Sequence, residues 1–284
     1  MRLIFLFYTH TSVSVANMSN LEPAKVKMMP LLKDRYLGDT TGGVLYRERQ
    51  SIALQYETDR QAVENILPEF YKPADKPIVN VSFVYNTGVD FMKGRGYNLT
   101  AFSLSAKHLG ERETTEGNFI FVMYENDTLP ILNGREMLGI PKLYGDIPPA
   151  RILPEGSIRC EVSVWGHLLY GIEVTPETKQ GDEIISAMNR NLSGVPMLGY
   201  KYIHSMEGPP DVYYPIATPS EPMIKELWTG TRGAVYFGEP SEDDVALHKP
   251  ILDAIKSLKI RKILGVSRSF GSSNLRTDLA KRLV

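Results

Sequence analysis

The sequence predicts an α+β fold, a single domain dominated by antiparallel β-sheet with a few flanking helices. Three observations carry that expectation. Segments rich in aromatic and β-branched residues follow one another with few helical stretches between them, unlike the strand–helix alternation of a doubly wound parallel sheet. The 284 residues are 43% hydrophobic and 10% aromatic, which suits a globular protein of one or two domains. No internal repeat, low-complexity block or long charge run divides the chain, and glycine and proline are spread throughout.

Residues 1–40 read as an extended leader and residues 41–284 as the domain. The apolar run at residues 1–8 stops at Thr9-His10-Thr11. It is shorter than the roughly 7–15 apolar residues of a secretory core and far below the roughly 20 of a membrane span. Residues 1–17 therefore read as a loose tail or a start-site artefact, with Met18 as the alternative first residue. Thr58-Asp-Arg-Gln61 has capping-box form and is followed by Ala62, Val63, Ile66 and Leu67 before Pro68, which predicts a short amphipathic helix. Strands come next. Residues 77–85 place Val79, Val81, Phe83 and Tyr85 on one face, and residues 97–106, 118–124 and 158–174 have similar composition. Helices are predicted over 182–191, from Ile184, Ile185 and Met188, and over 243–258, where Val245, His248, Ile251, Leu252, Ile255 and Leu258 fall at helical spacing. Residues 197–204, 233–237 and 261–267 again read as strands.

Charge and composition narrow the function. With 32 Lys+Arg against 33 Asp+Glu, the formal net charge of -1 leaves no basic field for nucleic acid, and a small-molecule substrate is the better expectation. Neither a nucleic-acid nor a membrane partner is expected. The single cysteine, Cys160, permits no internal disulfide and no Cys-based zinc site, so a reducing, cytoplasmic setting is the default. His10, His108, His167, His204 and His248 show no metal-ligand spacing, and no metal is expected. Gly42-Gly43 and Gly94-Arg-Gly96 lack the spacing and strand-to-helix context of a phosphate loop. They read as turns, and no cofactor is expected.

The segment that carries chemistry is residues 133–146, NGREMLGIPKLYGD, in which Lys142 lies among Met137, Leu138, Ile140, Pro141, Leu143 and Tyr144. Apolar neighbours on both sides suit either a lysine stem covering apolar surface or an amine held in a hydrophobic pocket. In a pocket, desolvation favours the neutral amine, and a neutral amine attacks a ketone to form a Schiff base.

GREMLGIPK resembles the motif of the acetoacetate decarboxylase superfamily, in which Gly-Arg-Glu is followed at this spacing by Pro and the Schiff-base lysine. The similarity extends to Tyr124–Asn133 before the motif, to Arg47-Glu-Arg49 through Glu69, to the run from Val195 to Ile203, and to Glu226 through Arg232. The resemblance implies an acetoacetate decarboxylase-like β-barrel or cone and a homo-oligomer. It also implies the Schiff-base role for Lys142 and substrate-facing places for Arg135, its motif neighbour Glu136, and Arg49. A guanidinium suits a carboxylate through a bidentate contact. From the residues alone, Arg135 could equally pair with Glu136 or hold a helix end, and Arg49 lies in a charged run that suits a solvated strand edge.

Two departures stand against the resemblance. Family decarboxylases carry a second lysine directly after the first, and here that position is Leu143. Lysine activation by a neighbouring cation, for which acetoacetate decarboxylase is itself the known example, has no source at that position. Leu143 is instead expected to dry the pocket. The family's strand acids are also missing, with Ser82 at the first position and no Asp or Glu in residues 94–106. The resemblance implies a Schiff-base lyase decarboxylating acetoacetate or a related 3-oxo acid, with a pyruvate-dependent aldolase-dehydratase as the alternative. A non-catalytic small-molecule binder on the same fold is the third reading, since fold does not dictate function.

Overall fold

Alternation in a single strand sets up the whole molecule. Val79, Val81 and Phe83 point into the core and are fully buried, while Asn80 and Ser82 between them point to the opposite face and line a cavity. Tyr85, expected with the core residues, is only partly buried. The structure, a computed structural model, describes residues 41–111 and 113–284, which fall in one compact unit. The predicted leader lies outside the described residues.

The first half contains β1 (Val44–Glu57), α1 (Arg60–Ile66), β2 (Lys72–Pro73), β3 (Ile78–Val89), β4 (Tyr97–Leu109), β5 (Thr114–Glu125), α2 (Thr128–Leu138) and β6 (Lys142–Tyr144). Next come β7 (Arg151–Ile152), β8 (Ile158–Val164), β9 (His167–Thr175), β10 (Thr178–Lys179), α3 (Asp182–Leu192), β11 (Met197–Ile203) and β12 (Val212–Thr218). The chain ends with β13 (Ser220–Gly230), β14 (Arg232–Phe237), α4 (Glu242–Val245), α5 (His248–Ser257), β15 (Lys262–Leu275) and β16 (Lys281–Arg282).

Among the described residues, the large sheet runs β10-β13-β15-β1-β3-β4-β5-β11-β12-β16, with β2 beside β4 and β6 beside β5. A smaller sheet runs β14-β9-β8-β7. Pairing is antiparallel except where β5 meets β6 and β11. The sequence predicts this α+β, mainly antiparallel architecture correctly; the expected barrel- or cone-like form broadly fits, although the large sheet is not closed into a barrel. Its core face packs Ile52, Leu54, Val81, Phe83, Phe102 and Leu104 against Cys160, Val162, Tyr170 and Ile172 of the small sheet. Each such side chain contributes about 1.5–3 kcal/mol of burial free energy. That leaves the other face of the large sheet free to hold polar groups.

Local differences from the sequence expectation have physical reasons. The helix at 58–67 forms, but its N-cap is Asp59 with no side-chain cap, because the Asp59 carboxylate binds Arg261 instead. Thr58 is buried and its hydroxyl has no hydrogen-bond partner among the described residues. Residues 158–174 are a hairpin rather than one strand, turning at Trp165 and Gly166, both at positive φ. The helix over 243–258 is broken at Ala246 (φ 41) into α4 and α5. The 11-residue α2, which contains the Gly-Arg-Glu motif, has no counterpart among the predicted elements.

Candidate active site

The free face of the large sheet encloses a cavity of about 270 Å³. Cross-strand register arranges this face of the sheet in rows. Arg49 lies opposite Asn86, which lies opposite Tyr97; the next row is Ser51, Val84, Leu99 and Glu125; the next is Ala53, Ser82, Ala101, Met123 and Lys142. Successive rows are about 6.7 Å apart along the strands. Two irregularities help populate this face. A register shift between β4 and β5 at Phe102/Ser103 allows Ile120 and Met123, an odd number of residues apart, both to line the cavity. A shift between β1 and β15 at Tyr46/Arg49 does the same for those two side chains.

Local sequence explains how Lys142 enters this face. The Asp127 side chain accepts the Leu129 N–H at 2.8 Å and starts α2. Pro130 is tolerated in the first turn, where its missing N–H has no helical partner. Gly139, at φ +61, ends the helix. The chain then turns through Ile140 and Pro141, and β6 joins β5 in parallel, with Met123 N–H donating to the Pro141 carbonyl at 3.1 Å. Gly134 leaves room for the lysine: a Cβ there would lie 2.7 Å from Lys142 Nζ and closer still to Cε.

Lys142 is 7% exposed, and its ammonium donates to the Pro130 carbonyl at 3.0 Å and contacts Glu125 Oε1 at 2.8 Å. Glu125 is wholly buried, and apart from this contact neither carboxylate oxygen has a partner among the described residues. Burial pushes the Glu125 pKa up, while the Lys142 charge partly opposes that rise. The charged neighbour of the lysine is thus a carboxylate rather than a second cation. Moving one proton from Nζ to Oε1 converts the ion pair to a neutral pair of amine and acid.

The expected substrate-facing residues separate in space. Lys142 and Arg49 both line the cavity. Arg135 and Glu136 do not line it, although the motif resemblance implies that they face the substrate. The Arg135 guanidinium, on an exposed residue, donates to the backbone carbonyl of Lys142 at 3.0 Å, because α2 turns position 135 away from the cavity toward the start of β6. Leu143 is also outside. As the next residue on the strand it faces the other way and packs against the core, so it does not dry the pocket. Arg49 is partly buried, and burial lowers its pKa, opposed by the phenols of Tyr46 and Tyr97. It remains a cation.

Sequence reasoning missed Glu125. The run from Asn118 to Tyr124 reads as a strand, and an acid directly after it looks like a solvated strand end. The available signal was parity: Glu125 shares a strand face with Met123, the residue against which Lys142 pairs. Ser82, at the first position where the family resemblance led to an expectation of an acid, lines the cavity with a hydroxyl, and Ser103 lines it as well.

A mostly antiparallel sheet with a cavity around a buried lysine defines an α+β protein organised about that cavity. The sequence matches the acetoacetate decarboxylase (ADC) family over residues 29–272, and the chain belongs to that family. Acetoacetate decarboxylase 1 of Bradyrhizobium diazoefficiens is 26% identical over 232 residues, 78% of this chain and 83% of that protein. The acetoacetate decarboxylase of Acidiphilium cryptum is 24% identical, covering 84% of this chain and 88% of its own. The crystal structure of acetoacetate decarboxylase from Legionella pneumophila superposes with a TM-score of 0.67 at 20% identity, covering 86% of this chain and 88% of that one. The enduracididine biosynthesis enzyme MppR complexed with pyruvate has a TM-score of 0.66 at 15% identity, covering 87% and 93%. These structures share the fold. Among the described residues no helix is long and apolar enough to cross a membrane.

Proposed function

We propose that this protein is a carbon–carbon lyase that decarboxylates a small 3-oxo acid, acetoacetate or a close relative, through an imine on Lys142. The observation that carries this reading is the buried Lys142–Glu125 pair in the cavity. Glu125 accepts a proton from the Lys142 ammonium, the neutral amine adds to the ketone carbon, and Glu125 returns that proton to the carbinolamine hydroxyl, which leaves as water to give an iminium beside the carboxylate. The electron pair of the bond to the carboxyl carbon moves into the iminium, carbon dioxide leaves, and an enamine remains. Protonation at carbon and hydrolysis release the ketone and the free lysine. Leu99, Met123 and Ile140 supply an apolar wall against which a carboxylate loses hydration while neutral carbon dioxide does not.

Arg49 takes the role of carboxylate anchor in this reading. It is the arginine that lines the cavity, whereas Arg135 serves by holding the Lys142 backbone. The support for a lyase also includes family membership and the names of the relatives, which are acetoacetate decarboxylases.

Glu125 gives a second reading a specific basis. Aldol addition and dehydration on a pyruvate imine need an acid–base group beside the lysine, and a carboxyl with a raised pKa is one. A protein of the same fold was solved with the condensation product of pyruvate and imidazole 4-carboxaldehyde. Borohydride reduction with acetoacetate or pyruvate, read by peptide mass, tests both readings. An adduct on Lys142 is expected, and carbon dioxide release from acetoacetate then separates decarboxylation from condensation. No adduct across a panel of oxo acids would leave only the binder.

A further inference from the structure

The proposed reaction has a step that Lys142 and Glu125 do not explain, the delivery of a proton to the enamine carbon. Ser82 and Ser103 are poor acids, and Glu125, having given its proton to the departing water when the iminium formed, is again a carboxylate beside the nitrogen with no proton to donate. The cavity contains one more pair of ionisable groups. Tyr46 and Tyr97 are buried, their hydroxyl oxygens are 3.2 Å apart, and their rings meet edge to face at 6.3 Å. Both line the same cavity as Lys142.

Proton counting shows what the pair offers. Two hydroxyls carry two protons, and their mutual hydrogen bond uses one. Neither hydroxyl has another hydrogen-bond partner among the described residues. The pair therefore holds one O–H free inside the cavity. Register brings it near the reacting centre: Glu125 lies opposite Leu99 on β4, and Tyr97 is two residues along that strand, so Tyr97 and Glu125 are diagonal neighbours. Lys142, opposite Met123, is in turn diagonal to Glu125. Diagonal neighbours are about 7–8 Å apart at the backbone, within reach of aromatic and long side chains.

We propose, resting on the imine reading above, that the Tyr46–Tyr97 pair is the acid that protonates the enamine carbon formed on Lys142. The enamine carbon takes the proton from the free phenolic O–H, the C–H bond forms, and the nitrogen becomes an iminium. The electron pair left on oxygen is held by the neighbouring tyrosine's O–H and by Arg49, and the phenolate regains its proton from water. Burial pushes the Tyr46 hydroxyl up to about 12 and Tyr97 well above the ordinary tyrosine value, while the Arg49 charge works in the opposite direction on both. The pair is therefore in its proton-carrying form across the neutral range, and the same cation stabilises it after donation.

Deuterium uptake into the methyl groups of acetone in D2O, followed by proton NMR, reads this step in both directions through the enamine. Borohydride trapping of acetone on Lys142 reads imine formation separately. Tyr46→Phe/Tyr97→Phe keeps both rings and is expected to retain the trapped adduct while losing at least tenfold in deuterium uptake, the low end of a general acid's contribution. Each single Phe variant supplies the same readout if the double variant does not fold. At least one should lose uptake, and the double should fall no further than the worse single, because the two hydroxyls act as a unit. Parental uptake in the double variant, or in both singles, overturns the proposal and leaves the imine reading standing. Failure of the parent to trap acetone or any oxo acid overturns both.

Discussion

Lys142 Nζ and Glu125 Oε1 form a buried ion pair at 2.8 Å, and among the described residues no other side chain hydrogen-bonds the carboxylate. The lysine comes from a three-residue strand after α2 and the acid from the last residue of β5, and parallel pairing brings them together. In the proposed mechanism this carboxylate takes the proton that the lysine must lose before its amine can attack a ketone.

The first prediction concerns stability against pH. Burial raises the Glu125 pKa and Lys142 opposes the rise. A group whose folded-state pKa is raised contributes stability that is fully present below its unfolded value and lost as pH rises through the folded value. Lys142→Met removes the opposing charge, so the variant should lose stability relative to the parent as pH is raised from about 5 to about 8. The difference should reach about 3 kcal/mol, as when one partner of a buried pair is removed. Lys142→Met/Glu125→Gln should show no such slope. Urea denaturation at both pH values measures this.

The second concerns the room made for the lysine. Gly134→Ala places a Cβ against Lys142 Cε and Nζ and displaces the amine from Glu125. Overpacking of this kind costs about 1–3 kcal/mol. Borohydride trapping should fall by tenfold or more, while circular dichroism should still report a folded sheet. Parental trapping in this variant would show that the lysine has another position.

The third separates the two arginines. Arg49→Ala should raise KM for a carboxylate substrate at least tenfold and leave imine formation with a neutral ketone nearly unchanged, because the guanidinium lines the cavity while the Lys142 amine is held by Glu125 and the Pro130 carbonyl. Arg135→Ala should do the reverse, slowing imine formation with acid and ketone alike, since it releases the Lys142 carbonyl. Steady-state kinetics together with trapping distinguishes the two.

The fourth concerns Leu143. Its side chain packs against the core, so Leu143→Lys should lower stability by about 2 kcal/mol or more by placing a charge in apolar surroundings. Its pH profile of imine formation should stay within a few tenths of a unit of the parent. A shift to lower pH would show that position 143 reaches the amine.

The motif around Lys142, the α+β class and most of the strands were legible in the sequence, because each depends on short-range signals: alternation over a few residues, a proline before a lysine, glycines at turns. Those signals left the lysine open between a stem covering apolar surface and an amine in a pocket, and burial was decided by the assembled sheet. The partner of that amine was decided there too. Glu125 joins Lys142 only because β6 returns beside β5 in parallel after a helix, and Tyr46 and Arg49 share the cavity only through a register shift against a strand more than two hundred residues away. Helix α2 turned Arg135 outward and Gly139 reversed the chain, so the arginine that resembled a substrate anchor became a clamp on the backbone. A one-residue change of register exchanges the two faces of a strand. Which side chains meet in the cavity is therefore a property of the assembled sheet, although every residue that enters it was present in the sequence.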